Sequence, residues 1–447
     1  VKCIEDEIPF DLPEGWAWVR LGNLSAAIQY GLSNSAEPQG THRLLRITDI
    51  QDGKVDWNAV PFTTVNDPEA YLLKTGDIVF ARTGATVGKS FLITETPYPS
   101  VYASYLIRIR LLGSLSPEYI YQFFDSACYW SQITDKSVGV GQPNCNGTSL
   151  KELFIPLPPI SEQLRIVPTA QALLAYVAKI DAEKKSLLSI IMATKSKILD
   201  LAIRGQLIPQ DPNDEPASVL LERIRAEKEE LIKQGKIKRD KKESVIFRGE
   251  DNSYYEKMPD GKLHCLDDQL PFELPDGWEW CNLSMIGTTN IGLTYRPTNI
   301  EPDGVIVLRS CNIVNDQVDL SDLVRVKTTI RENQYVQKND ILICARNGSR
   351  ALVGKCALIP DLGEPASFGA FMAIYRTEYF EYIVHYLRSS FFRSVFDDSN
   401  STAINQLTQD MLKRAIVPLP PVFEQRRITE TIDAMLFELN QMEKSLI

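Results

Sequence analysis

Few residues in this chain have the spacing of a catalytic or cofactor-binding motif. The stretch GATVGKS, from Gly84 to Ser90, resembles a phosphate-binding loop. That loop needs four residues between its first glycine and its Gly-Lys pair, so that backbone N–H groups surround the phosphates. This stretch has three, and a second copy of it has five, with Cys356 where the Mg²⁺-binding hydroxyl would stand. The sequence therefore predicts no nucleotide site here.

Histidine and cysteine are equally unpromising as ligands or nucleophiles. His42, His264 and His385 lie in no motif with a partner residue, and the eight cysteines form no C-x-x-C pair. The pattern predicts no metal site and no catalytic residue. Cysteines without such pairs are typical of buried thiols in a reducing compartment, so we expect a cytoplasmic protein.

Composition limits the class of protein. With 447 residues, 44% of them hydrophobic, the chain is long enough for two or three domains with full cores. No apolar run approaches the ~20 residues of a membrane span. The formal net charge of −10 does not favour nucleic acid binding by the molecule as a whole, although it says nothing about the sign of one groove.

The dominant feature of the sequence is an internal repeat. PFDLPEGWAWVRL begins at Pro9 and PFELPDGWEWCNL begins 262 residues later, at Pro271. The same offset relates IPLPPISEQLRI to VPLPPVFEQRRI, and GDIVFARTG matches NDILICARNG with a small slippage. Residues 1–185 are thus repeated as 263–447, which chance spacing does not explain.

Each copy has the pattern of a compact α/β (α+β) domain. GDIVFARTG and SYLIRIRLL alternate buried and exposed positions as strands do, and SPEYIYQFFDSACYW has a helix start followed by helical spacing. The proline runs IPLPPI and VPLPPV predict stiff, extended exits from the domains. The predicted boundaries are a first domain at 1–160, a helical region at 161–235, a linker at 236–265, a second domain at 266–421 and a shortened helical region at 422–447.

Two heptad patterns follow the two domains. Apolar residues recur at alternating steps of three and four, which is typical of a coiled-coil seam. Because the two seams share one register under the repeat, we expect them to form a long antiparallel helix pair; the alternative is that each helix packs on its own domain. The seam residues are Ile166, Leu173, Val177, Ile180, Leu187, Ile191, Ile198 and Leu201, and Ile428, Ile432, Met435, Leu439 and Met442.

Past the first seam, the chain has a second predicted helix and a basic run. EPASVLLERIRAEKEELIK places Leu220, Leu221, Ile224 and Leu231 on one side. The run from Lys233 to Lys242 favours a solvated linker, with a phosphate or partner contact as the alternative.

A duplicated domain on a helical spacer can contact two copies of a repeating structure. The 35 residue-to-residue steps from Ile166 to Leu201 would span roughly 50 Å as a helix. Duplex DNA presents the same groove face every ~34–36 Å. The polar tips differ between copies, as in QYGLSNSAEP and NIGLTYRPTN. Two domains with the same fold but different polar loop residues would suit two different half-site sequences.

At this point the chain resembles the specificity (S) subunits of type I restriction–modification enzymes. The resemblance covers essentially the whole sequence. It is carried by LPEGWAWVRL and LPDGWEWCNL, by IPLPPISEQ and VPLPPVFEQ, and by KSKILDLAIRGQLIPQDPNDEPASVLLERIRAEKEEL. The second helical region ends at Ile447, level with Lys185, and the chain opens on Val1, so we expect a shortened member of the family.

The resemblance implies a non-catalytic subunit. Each domain would be a target recognition domain that reads one half of a split double-stranded DNA sequence. The helices would space the domains and dock two methyltransferase subunits, and nuclease–translocase subunits would join them. S-adenosylmethionine, ATP and Mg²⁺ would belong to those partners. The alternatives are a protein-binding adaptor with duplicated domains and, less favoured, an enzyme with an unfamiliar site.

Candidate DNA contacts are polar residues on the loop tips. Arginine and lysine suit guanine, and asparagine and glutamine suit adenine, in the major groove. In the first domain they are Gln29, Tyr30, Ser33, Arg46, Arg82, Thr83, Lys89, Gln142 and Asn144, and in the second Thr294, Tyr295, Arg296, Arg309, Asn312, Arg346, Asn347, Arg350, Lys355, Asn405 and Gln406.

Each of these candidates also has a structural alternative. Arg82 and Arg346 could form internal salt bridges with a nearby acid. Gln142 and Asn144 could cap turns. Lys89 and Lys355 would contact phosphate, which positions the protein without specifying a base.

Overall fold

The computed structural model describes residues 5–51, 53–137, 143–237, 239, 244–397 and 406–446. The chain divides into two compact units, one up to Ala182 and the other from Glu183 onwards. Below, repeat 1 is the domain in the first unit and repeat 2 is its counterpart in the second. Gln142 and Asn405 lie outside the described residues.

Repeat 1 is built on a four-stranded antiparallel sheet. Its strands, in spatial order, are Ser25–Tyr30, Leu106–Leu111, Ile78–Ala81 and Ser90–Leu92. A second sheet has the order Phe62–Thr63, His42–Leu45, Ser100–Tyr102, of which the last two are parallel. Smaller elements complete the domain: the strand pair Ala17–Arg20 with Phe154–Leu157, the hairpin Ile50–Gln51 with Lys54–Val55, and the helices Leu21–Leu24, Pro117–Phe123, Ala127–Lys136 and Gly147–Lys151.

Repeat 2 has the same elements in the same order. Its four-stranded sheet has the order Thr288–Ile291, Met372–Arg376, Ile341–Cys344, Cys356–Leu358, and its second sheet the order Val324–Val326, Ile300–Leu308, Ala366–Phe368. The remaining elements are Glu279–Asn282 paired with Ile416–Leu419, the hairpin Ile313–Val314 with Gln317–Val318, and the helices Leu283–Ile286, Phe380–Arg388, Ser390–Asp397 and Gln409–Arg414.

Short 3₁₀ turns connect several of these elements. They are Glu5–Glu7, Ile47–Asp49, Gly84–Thr86, Asp267–Gln269, Pro297–Asn299, Ser310–Asn312, Glu332–Gln334 and Arg350–Leu352.

The proline runs enter the fold as strands. Pro156 and Pro418 lie in strands that pair on one side only, where a missing N–H costs no ladder hydrogen bond. The Pro156 carbonyl accepts a hydrogen bond from the hydroxyl of Tyr119, and the Pro418 carbonyl accepts the equivalent bond from Tyr382. The predicted extended exit from each domain is therefore confirmed, and its carbonyls are anchored to a helix of the same domain.

The expected linker at 236–265 contains a folded element. Val245–Arg248, Tyr254–Lys257 and Leu263–Cys265 form a three-stranded antiparallel sheet. This sheet belongs with the start of repeat 2, because Asn282 donates hydrogen bonds to Ser244 and Tyr254 donates one to Glu279. The prediction of a simple linker was wrong, since short strands in a polar segment have little hydrophobic alternation. Part of the basic run, residues 238 and 240–242, lies outside the described residues.

Three helices form the helical regions: the central helix Ile160–Ile203, the helix Ala217–Lys233, and the C-terminal helix Val422–Leu446. Pro168 lies inside the central helix without ending it. In the second unit, Lys195 pairs with Glu443, while Gln210, beyond the central helix, bonds to Glu424 near the start of the C-terminal helix. That order makes the two helices antiparallel, as predicted.

The seam is buried only along part of its length. The buried seam residues Ile198, Ile428 and Ile432 share one hydrophobic cluster with the core of repeat 2, whereas the half-buried Ile166 packs against the core of repeat 1. Leu173, Val177, Ile180 and Leu187, however, are about half exposed or more, at 61%, 54%, 62% and 47%, which is not the burial expected for a seam. Buried residues are Ile191, Ile198, Ile428 and Ile432; half-buried ones are Ile166, Leu201 and Leu439; Met435 and Met442 are exposed.

Candidate nucleic-acid interface

A central strand of the four-stranded sheet delivers an arginine to the surface in each repeat. Ile78–Ala81 runs directly into Arg82, and Ile341–Cys344 leads through Ala345 to Arg346. Each strand is fully buried, so it fixes the backbone of the residues that follow. The Arg82 N–H donates to the carbonyl of Tyr105 at 3.1 Å, and the Arg346 N–H donates to the carbonyl of Phe371 at 3.0 Å. The two repeats thus present an arginine at the same place.

The neighbouring loops are held against these arginines by backbone pairing. Thr83 forms an isolated bridge with Asn144, and Arg346 forms one with Gln406. The Asn144 and Gln406 side chains are exposed. The fold therefore brings together candidate residues that are some sixty positions apart, and their roles in binding stay predictions.

Neither arginine makes an ion pair within the described part of the chain. The Arg82 guanidinium lies over the ring of Tyr30, 5.0 Å from its centroid, and its Nε–H is buried without a hydrogen-bond partner among the described residues. The Arg346 side chain is exposed and lies over the ring of Phe371 at 5.5 Å. The internal salt bridge considered as an alternative is therefore not observed, and both positive charges remain available for a ligand.

Sequence reasoning missed an aromatic residue beside each arginine. Tyr105 and Phe371 occupy equivalent turns after parallel strand pairs and are 62% and 60% exposed. Their interest lies in their place beside Arg82 and Arg346, to which their carbonyls are bonded. Base readout by hydrogen bonds favours polar tips, so residue type did not indicate these aromatics; the alignment of ASYL with GAFM is the signal that indicates the pair.

Arg46 and Arg309 are held by acids of their own repeat. Arg46 forms a two-pronged pair with Asp49, with N–O distances of 3.1 and 2.6 Å. This hydrogen bonding raises the pKa of Arg46. Arg309 instead donates to the Asp322 carboxylate at 2.9 Å. Both guanidinium groups are partly exposed, so a base contact would compete with an existing ion pair.

Asn312 and Gln29 are engaged inside the protein. Asn312 is 1% exposed, accepts from the Arg309 N–H, and donates to the carbonyls of Asp319 and Asp322. The structure thus does not support a base contact for Asn312. The Gln29 side-chain oxygen accepts a 2.6 Å hydrogen bond from Arg108, which is itself 2% exposed. Burial lowers the pKa of Arg108, and this bond helps to satisfy its guanidinium.

The other candidates of repeat 1 differ in exposure. Tyr30 is 41% exposed, and its hydroxyl accepts a hydrogen bond from the Gly147 N–H. Ser33 and Lys89 are exposed, while Thr83 is half-buried. The turn after Asn144 is capped by Asn146, whose side chain accepts from the Ser149 N–H.

The other candidates of repeat 2 lie on the corresponding loops. Thr294, Arg296 and Arg350 are exposed, and Tyr295 and Lys355 are half-buried. Arg296 donates through its backbone to Asn299. Asn347 caps its own turn by accepting from the Ser349 N–H at 3.0 Å, which leaves its amide nitrogen near Ser310 at 3.4 Å.

The described residues form neither a metal site nor a membrane-spanning helix. Over the part of the chain that the structure describes, no group of three or more His, Cys, Asp or Glu residues is arranged to hold a metal ion. Among the described helices, none combines the length and apolar character that crossing a bilayer requires.

The sequence matches a known protein family. The model of the type I restriction modification DNA specificity domain matches residues 13–190 and 275–447, once in each repeat. The EcoAI specificity subunit of Escherichia coli is 25% identical over 98% of this chain and 80% of its own length. The StySPI specificity subunit of Salmonella potsdam is 32% identical over 39% of each chain.

Two solved structures share the fold. A chain from a structure of the assembly and conformational transition of a type I R-M system aligns with a TM-score of 0.66 and 19% identity, covering 98% of this chain and 94% of that one. The HsdS subunit from Thermoanaerobacter tengcongensis aligns with a TM-score of 0.57 and 19% identity, covering 98% and 92%.

The chain belongs to the family of type I restriction–modification DNA specificity subunits. Its two repeats are the two DNA specificity domains of that family, with the central helix between them in the sequence. The predicted function in DNA target recognition and the predicted fold are confirmed at this level. The protein-binding adaptor is not favoured.

Proposed function

We propose that each repeat reads one half of a bipartite double-stranded DNA target. Repeat 1 would read through the loops around Arg82 and repeat 2 through those around Arg346. A guanidinium donates two parallel hydrogen bonds to guanine in the major groove. The observation that carries this assignment is that both arginines stand at the same strand end, without an ion pair among the described residues.

The aromatic neighbours add apolar contact to the same surface. Tyr105 and Phe371 are each bonded through the backbone to the arginine in question. Aromatic and apolar side chains contact the thymine methyl group, and this contact distinguishes thymine from cytosine. We therefore assign Arg82 with Tyr105, and Arg346 with Phe371, as matched readers of the two half-sites.

The helices supply the spacing and the docking surface. The antiparallel packing of the C-terminal helix on the end of the central helix supports a rigid spacer. The exposed apolar residues Leu173, Tyr176 and Ile180 supply a surface that two methyltransferase subunits would cover. Nuclease–translocase subunits would then complete the restriction enzyme.

Chemistry in this assembly would come from the partners. We propose that this chain is non-catalytic and binds no cofactor of its own, and that S-adenosylmethionine, ATP and Mg²⁺ are held by the methyltransferase and nuclease–translocase subunits. The assembly would work in the cytoplasm, where its DNA target is found.

A selection experiment tests this proposal. The full chain is assembled with its methyltransferase, and duplexes are selected from a random library at one fixed salt concentration, since phosphate contacts make affinity salt-dependent. We expect a split motif with an unread spacer. Exchanging residues 266–421 for the second domain of another family member should change one half of the motif and leave the other half. Selection of no split motif would contradict the proposal.

A further inference from the structure

Repeat 1 has an open cleft away from Arg82. It lies between the hairpin Ile50–Gln51 with Lys54–Val55, the helix Pro117–Phe123 and the first turns of the central helix, and encloses about 520 Å³. Trp57 and Phe91 form an apolar floor, and both are more than 90% buried. This volume is within the range of sites for small ligands or single side chains with their neighbours.

The charged groups of the cleft are mostly carboxylates. Glu95, Glu118 and Asp125 line it, and Lys54 is the basic residue among its described lining. Partial burial raises the pKa of Asp125, as expected for a carboxylate without a cation beside it. The side-chain oxygen of Gln122 is buried and lacks a donor in the described part of the chain, while its nitrogen donates to the Val167 carbonyl. An unpartnered buried acceptor is unfavourable unless a ligand supplies the donor.

Repeat 2 shows what occupies the equivalent position there. The helix of repeat 1 from Glu118 to Asp125 aligns residue by residue with that from Glu381 to Arg388, so an arginine stands where repeat 1 has Asp125. Arg388 donates to the backbone carbonyl of Asp316, at the tip of the equivalent hairpin, at 2.7 Å. Its Nε lies 3.9 Å from the Asp316 carboxylate, and its side chain is 18% exposed.

A second pair of residues beside Arg388 also differs between the two repeats. His385 of repeat 2 lies 3.3 Å from the carboxylate of Asp433, and this hydrogen bond lowers the pKa of Asp433. In repeat 1 the corresponding residues are Gln122 and Gln171, both neutral, and both line the cleft. Repeat 2 therefore supplies its own cation, Arg388, at this position, whereas repeat 1 has the carboxylate of Asp125 there.

We propose that the cleft of repeat 1 binds the guanidinium group of an arginine side chain presented by a partner protein. The carboxylates would accept its hydrogen bonds, and the Gly53 backbone would stand where that of Asp316 receives Arg388. Hydrogen bonds between a guanidinium and a carboxylate are stronger than those between neutral groups. Tyr121 and Trp57 suit the arginine stem and its cation–π contact.

The acidic lining disfavours binding of nucleic acid in this cleft. Phosphate groups would be repelled by the three carboxylates, so the cleft is not an extension of the DNA-reading surface. The inference also does not depend on the proposed DNA readout. It would stand if the arginine–aromatic pairs proved unimportant for base recognition.

Titration of the full chain with capped amino acids and peptides tests the proposal. Acetyl-arginine amide should bind by calorimetry, and the isosteric but neutral acetyl-citrulline amide should bind at least about tenfold more weakly. The peptide acetyl-Leu-Arg-Leu-amide should bind more tightly than the capped single residue. Tighter binding of free arginine or spermidine than of the peptide would overturn the assignment to a partner protein and indicate a free cation.

Asp125→Arg is the decisive variant, because it gives repeat 1 the residue that repeat 2 has. The introduced side chain should occupy the cleft itself. Peptide binding should therefore weaken at least about tenfold, and the thermal unfolding midpoint of the chain should stay unchanged or rise. Asp125→Asn should weaken binding less. The matched control is Asp135→Arg, which makes the same charge change at an exposed position of the next helix. Equal binding by Asp125→Arg and the wild-type chain, or no peptide binding at all, would refute the proposal.

Discussion

Repeat 1 and repeat 2 share a buried frame and differ where that frame meets solvent. In repeat 1, Asp77 is 2% exposed and pairs with Arg110 through two hydrogen bonds of 2.6 and 2.7 Å. In repeat 2, Asp340 is 1% exposed and pairs with Arg376 at 2.6 and 2.7 Å. Each aspartate also accepts from a backbone N–H three residues earlier, so it fixes the turn before the central strand.

At the surface the same scaffold carries different connections. Asp49 of repeat 1 corresponds to Asn312 of repeat 2, and the arginine that bonds Asp49 in one domain bonds Asp322 in the other. Arg108, buried in repeat 1, is replaced by Ile374. The buried frame therefore tolerates exchange of polar partners at the loop tips, as two domains that read different half-sites would need.

Removing a core isoleucine from the helix that follows each repeat should have the largest effect. Ile428 is fully buried, whereas its counterpart Ile166 is half-buried. We expect Ile428→Ala to lower the free energy of urea unfolding by about 4 kcal/mol, because a fully enclosed site leaves a cavity. Ile166→Ala should cost distinctly less. Equal costs would show that the two helices are supported in the same way.

The buried aspartates should behave alike. Asp77→Ala and Asp340→Ala should each destabilise the chain by about 3 kcal/mol, because each leaves an arginine without its partner and a turn without its cap. Urea unfolding of the two variants measures this. Arg46→Ala, which removes a more exposed pair, is the control and should cost about 1 kcal/mol or less. A large loss in one aspartate variant alone would mean that the two frames are not equivalent.

A smaller, pH-dependent difference is expected at Glu424. This residue is 1% exposed and accepts a hydrogen bond from the Trp278 indole, and its burial raises the pKa of the carboxyl group above 4.5. Because the folded chain then holds the proton more tightly than the unfolded chain, Glu424 contributes stability at low pH that is lost as pH rises through the folded pKa. Glu424→Gln should remove this loss.

The measurement is the free energy of unfolding of the Glu424→Gln and wild-type chains across the mildly acidic range. Relative to the wild-type chain, the free energy of unfolding of the variant should increase as pH rises above 4.5. Glu162→Gln, at the more exposed equivalent position of repeat 1, is the matched control. If the free energy of unfolding of the variant instead increased relative to the wild-type chain as pH falls, the result would contradict this explanation.

Local patterns predicted the parts of the fold that depend on local sequence. The strands Ile78–Ala81 and Leu106–Leu111 and the helix Pro117–Phe123 lie where alternation and a Ser-Pro start placed them. The sheet order was not accessible, because neighbouring strands such as Ser25–Tyr30 and Leu106–Leu111 are far apart in the chain. The sheet at 245–265 was missed because its strands are short and largely polar.

The candidate interface was predictable to a lesser extent. Residue type indicated Arg82 and Arg346, but type alone could not show that Asn312 and Gln29 are committed to Asp319 and Arg108, which are tertiary partners. It also could not show that Tyr105 and Phe371 are exposed, since an aromatic residue within a strand-like pattern is normally expected in the core.

The most direct test measures half-site preference after removing each arginine. Arg82→Ala and Arg346→Ala chains, each assembled with the methyltransferase, are used to select duplexes at one fixed salt concentration, and the preference at every position is compared with the wild-type chain. We predict that each variant relaxes one position, by about 1–3 kcal/mol, and that the two positions lie in different half-sites. Uniform weakening on all sequences by either variant would show a backbone contact instead and contradict base readout by that arginine.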